Sequence, residues 1–207
     1  MNTLYFSAQF ESSASDPYQC PPALHEVAFA GRSNAGKSSA INTITRQGKL
    51  ARISKTPGRT QLINHFSIGE SRFLVDLPGY GYAQVSKAQQ KRWNQAMTQY
   101  LVSRDCLRGV VLVMDIRHPL TDADWQLIEL QQSGQTELHI LLTKSDKLSK
   151  NQVARSVGAV QRSLGEADVE ATLQDFSALK RQGVDDVHSI LDAWLFDKPV
   201  DGISHSP

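Results

Sequence analysis

The sequence predicts an α/β domain built on a mostly parallel sheet with helices on both faces, and three observations carry that prediction. Short apolar runs rich in β-branched residues alternate with segments of helical periodicity, the pattern of strands covered on both sides. One such run, 27–30, leads directly into Gly31-Arg32-Ser33-Asn34-Ala35-Gly36-Lys37-Ser38, which satisfies the phosphate-binding pattern G-x-x-x-x-G-K-[ST]. Only Gly69-Glu70-Ser71 separates the runs 62–68 and 72–76, too short for a crossover helix, so these two should pair antiparallel at one edge.

The elements follow in order. Strands are expected at 27–30, 62–68, 72–76, 110–115, 138–143 and 169–176, giving a six-stranded sheet, and helices at 37–45, 87–103, 122–133, 151–164 and 184–195. A chain of 207 residues, 40% hydrophobic, suits one such domain, expected over 23–197. Residues 1–22, with Ser12-Ser13, Asp16-Pro17 and Pro21-Pro22, read as a loosely attached lead-in, and 198–207 as a tail. The stretch 46–61 has little periodicity and contains Pro57-Gly58, so a flexible basic loop is expected. Trp93, Trp125 and Trp194 fall at helical spacing with other apolar residues, as core or interface anchors do. Cys20 and Cys106 form no C-x-x-C pair and stand at no metal-ligand spacing from a histidine, so free buried thiols are expected. No run of 18 apolar residues occurs and the N-terminus lacks a signal pattern, which points to a cytoplasmic protein with no membrane partner.

Net charge is only +1, but it is unevenly placed. Between Val27 and Arg104 stand 12 Lys and Arg against two acids, Glu70 and Asp76. From Val27 to Gly69 no acid occurs, while Arg32, Lys37, Arg46, Lys49, Arg52, Lys55 and Arg59 do. One or two of these serve phosphates. The others form a basic surface that either meets RNA or is simply solvated.

The phosphate loop implies a bound nucleoside triphosphate. Glycines at 31 and 36 let successive N–H groups turn inward, and the following helix N-terminus adds its dipole. Lys37 would reach the β- and γ-phosphates, and the Ser38 hydroxyl would ligate Mg²⁺. Asp76-Leu77-Pro78-Gly79 ends a strand about forty residues later, where a carboxylate can hold Mg²⁺ through water and the Gly79 N–H can meet the third phosphate. Thr143-Lys144-Ser145-Asp146 closes another strand. Guanine presents two donors, N1–H and the 2-amino group, to one carboxylate, and adenine has neither there, so Asp146 selects guanine. The stem of Lys144 can lie along the base, and Phe176-Ser177-Ala178, with Lys180 nearby, is placed to offer a backbone N–H to the guanine O6.

These motifs, with Thr60 inside Lys55-Thr56-Pro57-Gly58-Arg59-Thr60-Gln61, come in the order and spacing of translation-factor-related GTPases. The detailed forms at 31–39, 57–61 and Asp76-Leu77-Pro78-Gly79-Tyr80-Gly81-Tyr82 resemble the EngB (YihA/YsxC) family of bacterial ribosome-assembly GTPases, over about residues 20–197. The resemblance implies a single Ras-like P-loop GTPase domain that hydrolyses GTP to GDP and phosphate. It implies Ser38 and Thr60 as direct Mg²⁺ ligands, Thr60 only with GTP, and nucleotide contacts from Gly58, Arg59, Thr60, Gln61 and Leu62. It further implies a role in assembling the large ribosomal subunit and in normal cell division and septation, with rRNA met through the basic 46–59 loop and a monomeric protein.

Two positions bear on catalysis. Many relatives carry a glutamine after the D-x-x-G glycine to orient the attacking water, but here that residue is Tyr80, so turnover should be slow, with Lys37, Thr60 and Asn34 as the catalytic candidates. Some relatives with Asn at the position of Asn34 recruit K⁺, which predicts faster hydrolysis in KCl than in NaCl at equal ionic strength. Two other readings stay open: a P-loop small-molecule kinase, and a GTP-dependent module for a division protein without ribosome binding.

Overall fold

The computed structural model describes residues 3–51, 62–80, 87–134 and 136–198, with the backbone alone for 87–92 and 94. Its elements are β1 (Gln9–Ala14), β2 (His25–Gly31), α1 (Lys37–Ile44), β3 (Ile63–Ser67), β4 (Arg72–Asp76), α2 (Lys87–Ser103), β5 (Leu107–Asp115), α3 (Asp122–Gln132), β6 (Glu137–Thr143), α4 (Lys150–Glu166), β7 (Thr172–Asp175) and α5 (Val184–Phe196). The strands form one sheet in the order β1-β3-β4-β2-β5-β6-β7.

Alternation along the central strands divides the core. In β2, Val27 and Phe29 pack with α1 and α5, through Ile41, Ile44, Leu191 and Trp194, while Ala28 and Ala30 face Met97, Tyr100, Leu127 and Ile128 of α2 and α3. Helices therefore cover both faces, as expected. From β4 through β2, β5 and β6 to β7 the pairs are parallel, and β3 runs antiparallel to both of its neighbours, β1 and β4.

The sheet has seven strands rather than six, and β3 is not its edge. Residues 9–14, expected to be a loose lead-in, pair antiparallel with β3 from Gln9↔Ser67 to Ala14↔Ile63, with a bulge between Phe10 and Ser12. The turn before it is anchored as well. Tyr5 is fully buried, stacks on His188 at 4.6 Å and donates to Asp192 Oδ1 at 2.8 Å, and Gln47 Nε2 donates to the carbonyls of Phe6 and Ala8. These long-range partners supply the apolar and polar contacts that the local sequence of 9–14 lacks.

The first part of the expected flexible loop is also folded: Asn42 exchanges hydrogen bonds with Ala51 (2.7 and 2.9 Å), which is buried. Residues 52–61, and 199–207 of the expected tail, lie outside the described residues. Both cysteines are free and half-buried, so neither is sealed in the core as expected. Trp194 is a core residue, and it lies so close to β5 that a Cβ on Gly109 would stand 2.5 Å from its ring. Among the described residues no helix is long and apolar enough to cross a membrane.

Candidate functional site

Four loops meet at the carboxyl ends of β2, β4, β6 and β7, the end of an open α/β sheet where ligands bind. The loop from β2 to α1 is the phosphate loop. Gly31 lies so close to β5 that a Cβ would stand 2.6 Å from the Val113 carbonyl oxygen, and Gly36 has φ of +104°, so both positions call for glycine. Asn34 is also left-handed, at φ 65°. The Ala35 N–H donates to the Arg32 carbonyl (3.0 Å), and the Thr143 hydroxyl lies against the Ala35 carbonyl, tying this loop to β6. Lys37 and Ser38 open α1, whose first N–H groups have no intrahelical acceptor and no capping side chain at Gly36.

Asp76 ends β4 beside this loop and forms an ion pair with Lys37, both side chains about one-tenth exposed. The Leu77 N–H donates to Phe29 O of β2 (3.0 Å), fixing where Pro78 and Gly79 begin. Leu62 stands exposed just before β3, while Gly58, Arg59, Thr60 and Gln61 lie outside the described residues.

The residues expected to recognise the base, 143–146 and 176–178, lie side by side at the ends of β6 and β7. The Ser145 N–H donates to Phe176 O (3.1 Å) and the Phe176 N–H to Leu142 O (2.8 Å), joining the two loops. Ser177 Oγ donates to Asp146 Oδ1 at 2.7 Å and accepts from the Lys180 N–H at 3.1 Å. That bond, with Lys147 Nζ 3.6 Å from the other oxygen, holds the Asp146 carboxyl below its ordinary pKa. An ionised carboxylate has about four acceptor positions, and Ser177 occupies one, so a pair of donors can still be met. Ala178 follows, packed against the apolar layer of α1 and α5.

The donor set suits a magnesium nucleotide: a hydroxyl at Ser38, a carboxylate at Asp76 and an ammonium at Lys37 around a loop that calls for glycine at 31 and 36. No cluster of three or more His, Cys, Asp or Glu side chains suited to a metal occurs among the described residues.

The comparisons agree with this geometry. Residues 26–144 match the family model described as "50S ribosome-binding GTPase". A "Probable GTP-binding protein EngB" from Coxiella burnetii (strain CbuK_Q154) is 50% identical over 196 residues, 94% of this chain and 96% of the relative. The chain belongs to the EngB family of GTP-binding proteins. An EngB from Methylobacillus flagellatus is 48% identical over 93% of this chain and 94% of its own. Among solved structures, one titled as a probable GTP-binding protein engB superposes with a TM-score of 0.67 at 19% identity, covering 84% of this chain and all of that one. An Aquifex aeolicus Era variant bound to GDP and AlF4⁻ gives 0.66 at 19% identity, over 90% of this chain and 63% of its own. Both show the same fold.

Within this EngB domain the structure adds residues that the motifs did not name. Asp115, at the end of β5, accepts from Arg117 Nε (2.9 Å) and Nη2 (2.6 Å) and from Lys144 Nζ (2.9 Å). Burial alone would raise its pKa, but these hydrogen bonds outweigh burial and hold the carboxyl far below the usual range. Lys144 Nζ also donates to Asn34 O at 2.7 Å, so one ammonium joins base loop, phosphate loop and β5. Asp115 carried the same signal as Asp76, a carboxylate closing an apolar strand, but no motif around it.

Proposed function

We propose that this EngB protein is a nucleotide-dependent switch that hydrolyses GTP slowly with Mg²⁺ and acts in large ribosomal subunit assembly, with effects on cell division and septation. The observation that carries the nucleotide part is the convergence of 31–38, Asp76–Gly79 and the Asp146–Ser177 pair at one end of the sheet.

Asp146 accepts from the guanine N1–H and amino group, and the Lys144 stem covers the base. Lys37 moves from Asp76 to the β- and γ-phosphates, which carry the greater negative charge, and the Gly79 N–H reports the third phosphate. Ser38, Thr60 and, through water, Asp76 would hold Mg²⁺, which when bound neutralises charge on the phosphate oxygens. Asn34 would admit K⁺ as an additional cation beside the phosphates. Hydrolysis is slow because the Tyr80 ring does not reach toward the phosphates to orient water. The product that matters is a change of surface, not a metabolite.

For the partner, the support is the family description as ribosome-binding and the acid-free stretch from Val27 to Gly69. The protein acts as a cytoplasmic monomer meeting rRNA through 46–59. Co-sedimentation with ribosomal subunits tests this. Large-subunit particles should retain it with a non-hydrolysable GTP analogue more than with GDP, and high salt or Arg/Lys→Glu changes in 46–59 should release it. Retention independent of nucleotide would refute the switch, and no retention would refute the ribosomal partner.

A further inference from the structure

Tyr80 stands immediately after the phosphate-sensing Gly79, where a glutamine would orient water, and its surroundings give it another role. Its backbone forms a parallel bridge with Arg32, and its carbonyl accepts from the Ser33 N–H at 3.0 Å, so the turn is stitched to the phosphate loop. Its ring is 5% exposed, 5.7 Å from that of Trp93, and its hydroxyl donates to Asp124 Oδ1 at 2.6 Å. Asp124 is itself fixed. Its other oxygen accepts from the N–H and the hydroxyl of Thr121, both at 2.8 Å, closing the capping box of α3.

Pro78 and Gly79 thus hang between two anchors: Leu77, bonded to β2, and Tyr80, bonded to the phosphate loop and α3. We infer that Tyr80 is a positioning residue, whose hydroxyl on Asp124 holds the Gly79 peptide where it can meet the third phosphate and so favours the GTP-bound state over the GDP-bound one. This rests on the switch reading above. Because GDP does not extend to Gly79, freedom gained by that span weakens only the triphosphate complex, which must then supply the ordering.

Tyr80→Phe in the full chain keeps the ring and removes the bond. Its affinity for GDP should stay within about twofold, while affinity for a non-hydrolysable GTP analogue and the single-turnover hydrolysis rate should each fall about five- to tenfold, the equivalent of one buried hydrogen bond. Asp124→Ala, which removes the acceptor altogether, should show the same triphosphate-specific loss, and the Tyr80→Phe/Asp124→Ala double variant should lose no more of the GTP-to-GDP preference than either alone. Thr121→Ala removes a bond to the same carboxylate without touching Tyr80. It should lower the melting temperature and leave the GTP-to-GDP preference intact, which separates positioning from stability. Equal losses for both nucleotides, no loss, a gain, or the same shift in Thr121→Ala would each overturn the inference. Hydrolysis by the unaltered chain is read in the same assay. An inactive parent would mean the switch reading fails and this one with it, whereas an active parent beside an unaffected Tyr80→Phe variant overturns this one alone.

Discussion

The surroundings of Asp146 fit the role in guanine recognition proposed for it. Ser177 holds one oxygen, its hydrogen bond and Lys147 keep the carboxyl charged against the effect of burial, and the remaining acceptor positions complement two donors. Replacing it tests that reading. Asp146→Asn keeps an oxygen for Ser177 but turns one acceptor into a donor, so the guanine amino group faces an N–H. GTP affinity should fall about 10- to 100-fold, the roughly 1–3 kcal/mol of a mismatched buried polar group. Xanthosine nucleotides, with a carbonyl in place of that amino group, should gain over GTP in competition titrations, and comparable ATP binding by the parent chain would refute the assignment. Asp146 was legible because its motif has a fixed register. Asp115 and Asp124 were not, since their partners Lys144 and Tyr80 lie 29 and 44 positions away and no local pattern announces them.

At the scale of elements, the parallel strands were readable from their own residues, because strands buried on both faces must be apolar throughout. The run 107–115 is such a case, although its first residues fell outside the expected 110–115 because Arg108 and Gly109 interrupt the apolar pattern. Gly109 has a packing reason to be there. It lets the Trp194 indole of α5 lie against β5, and any side chain would enter the ring. Gly109→Ala should therefore cost about 1–3 kcal/mol by overpacking. For a domain of this size that is a fall of several degrees in melting temperature, about 2–4 °C per kcal/mol, and an unchanged melting curve would contradict the contact. β1 was illegible for the opposite reason. Gln9-Phe10-Glu11-Ser12-Ser13-Ala14 has no alternation to speak of, and Phe10 is largely exposed. Its pairing is decided by β3 and by the anchoring of Tyr5, neither of which is near in sequence.

For the whole molecule, three buried histidines set the response to acid. Burial lowers the pKa of His139 to about 4, and lowers His188 and His65, the last despite Glu26 at 3.7 Å. Each is neutral when folded and takes up a proton near pH 6.5 when unfolded, so their stabilisation is present above pH 6.5 and lost as pH falls below it. His139 alone, nearly free of solvent, accounts for about 2 kcal/mol lost by pH 5. The contribution of Asp115 and Asp146, held low, is lost only as pH falls through the ordinary carboxylate range and below it, so denaturant midpoints should already decline between pH 6.5 and 5 and decline less in His139→Gln. A flat profile over that window would contradict the burial of these rings. The contact between Tyr5 and Asp192 spans 187 positions. During synthesis, the first turn of the chain emerges long before α5, and its aromatic ring has no pocket until Ile44, His188 and Leu191 are all in place. The anchor that Tyr5 gives the β1 border can therefore close only after α5 has been made, leaving the far end of the chain to secure its beginning.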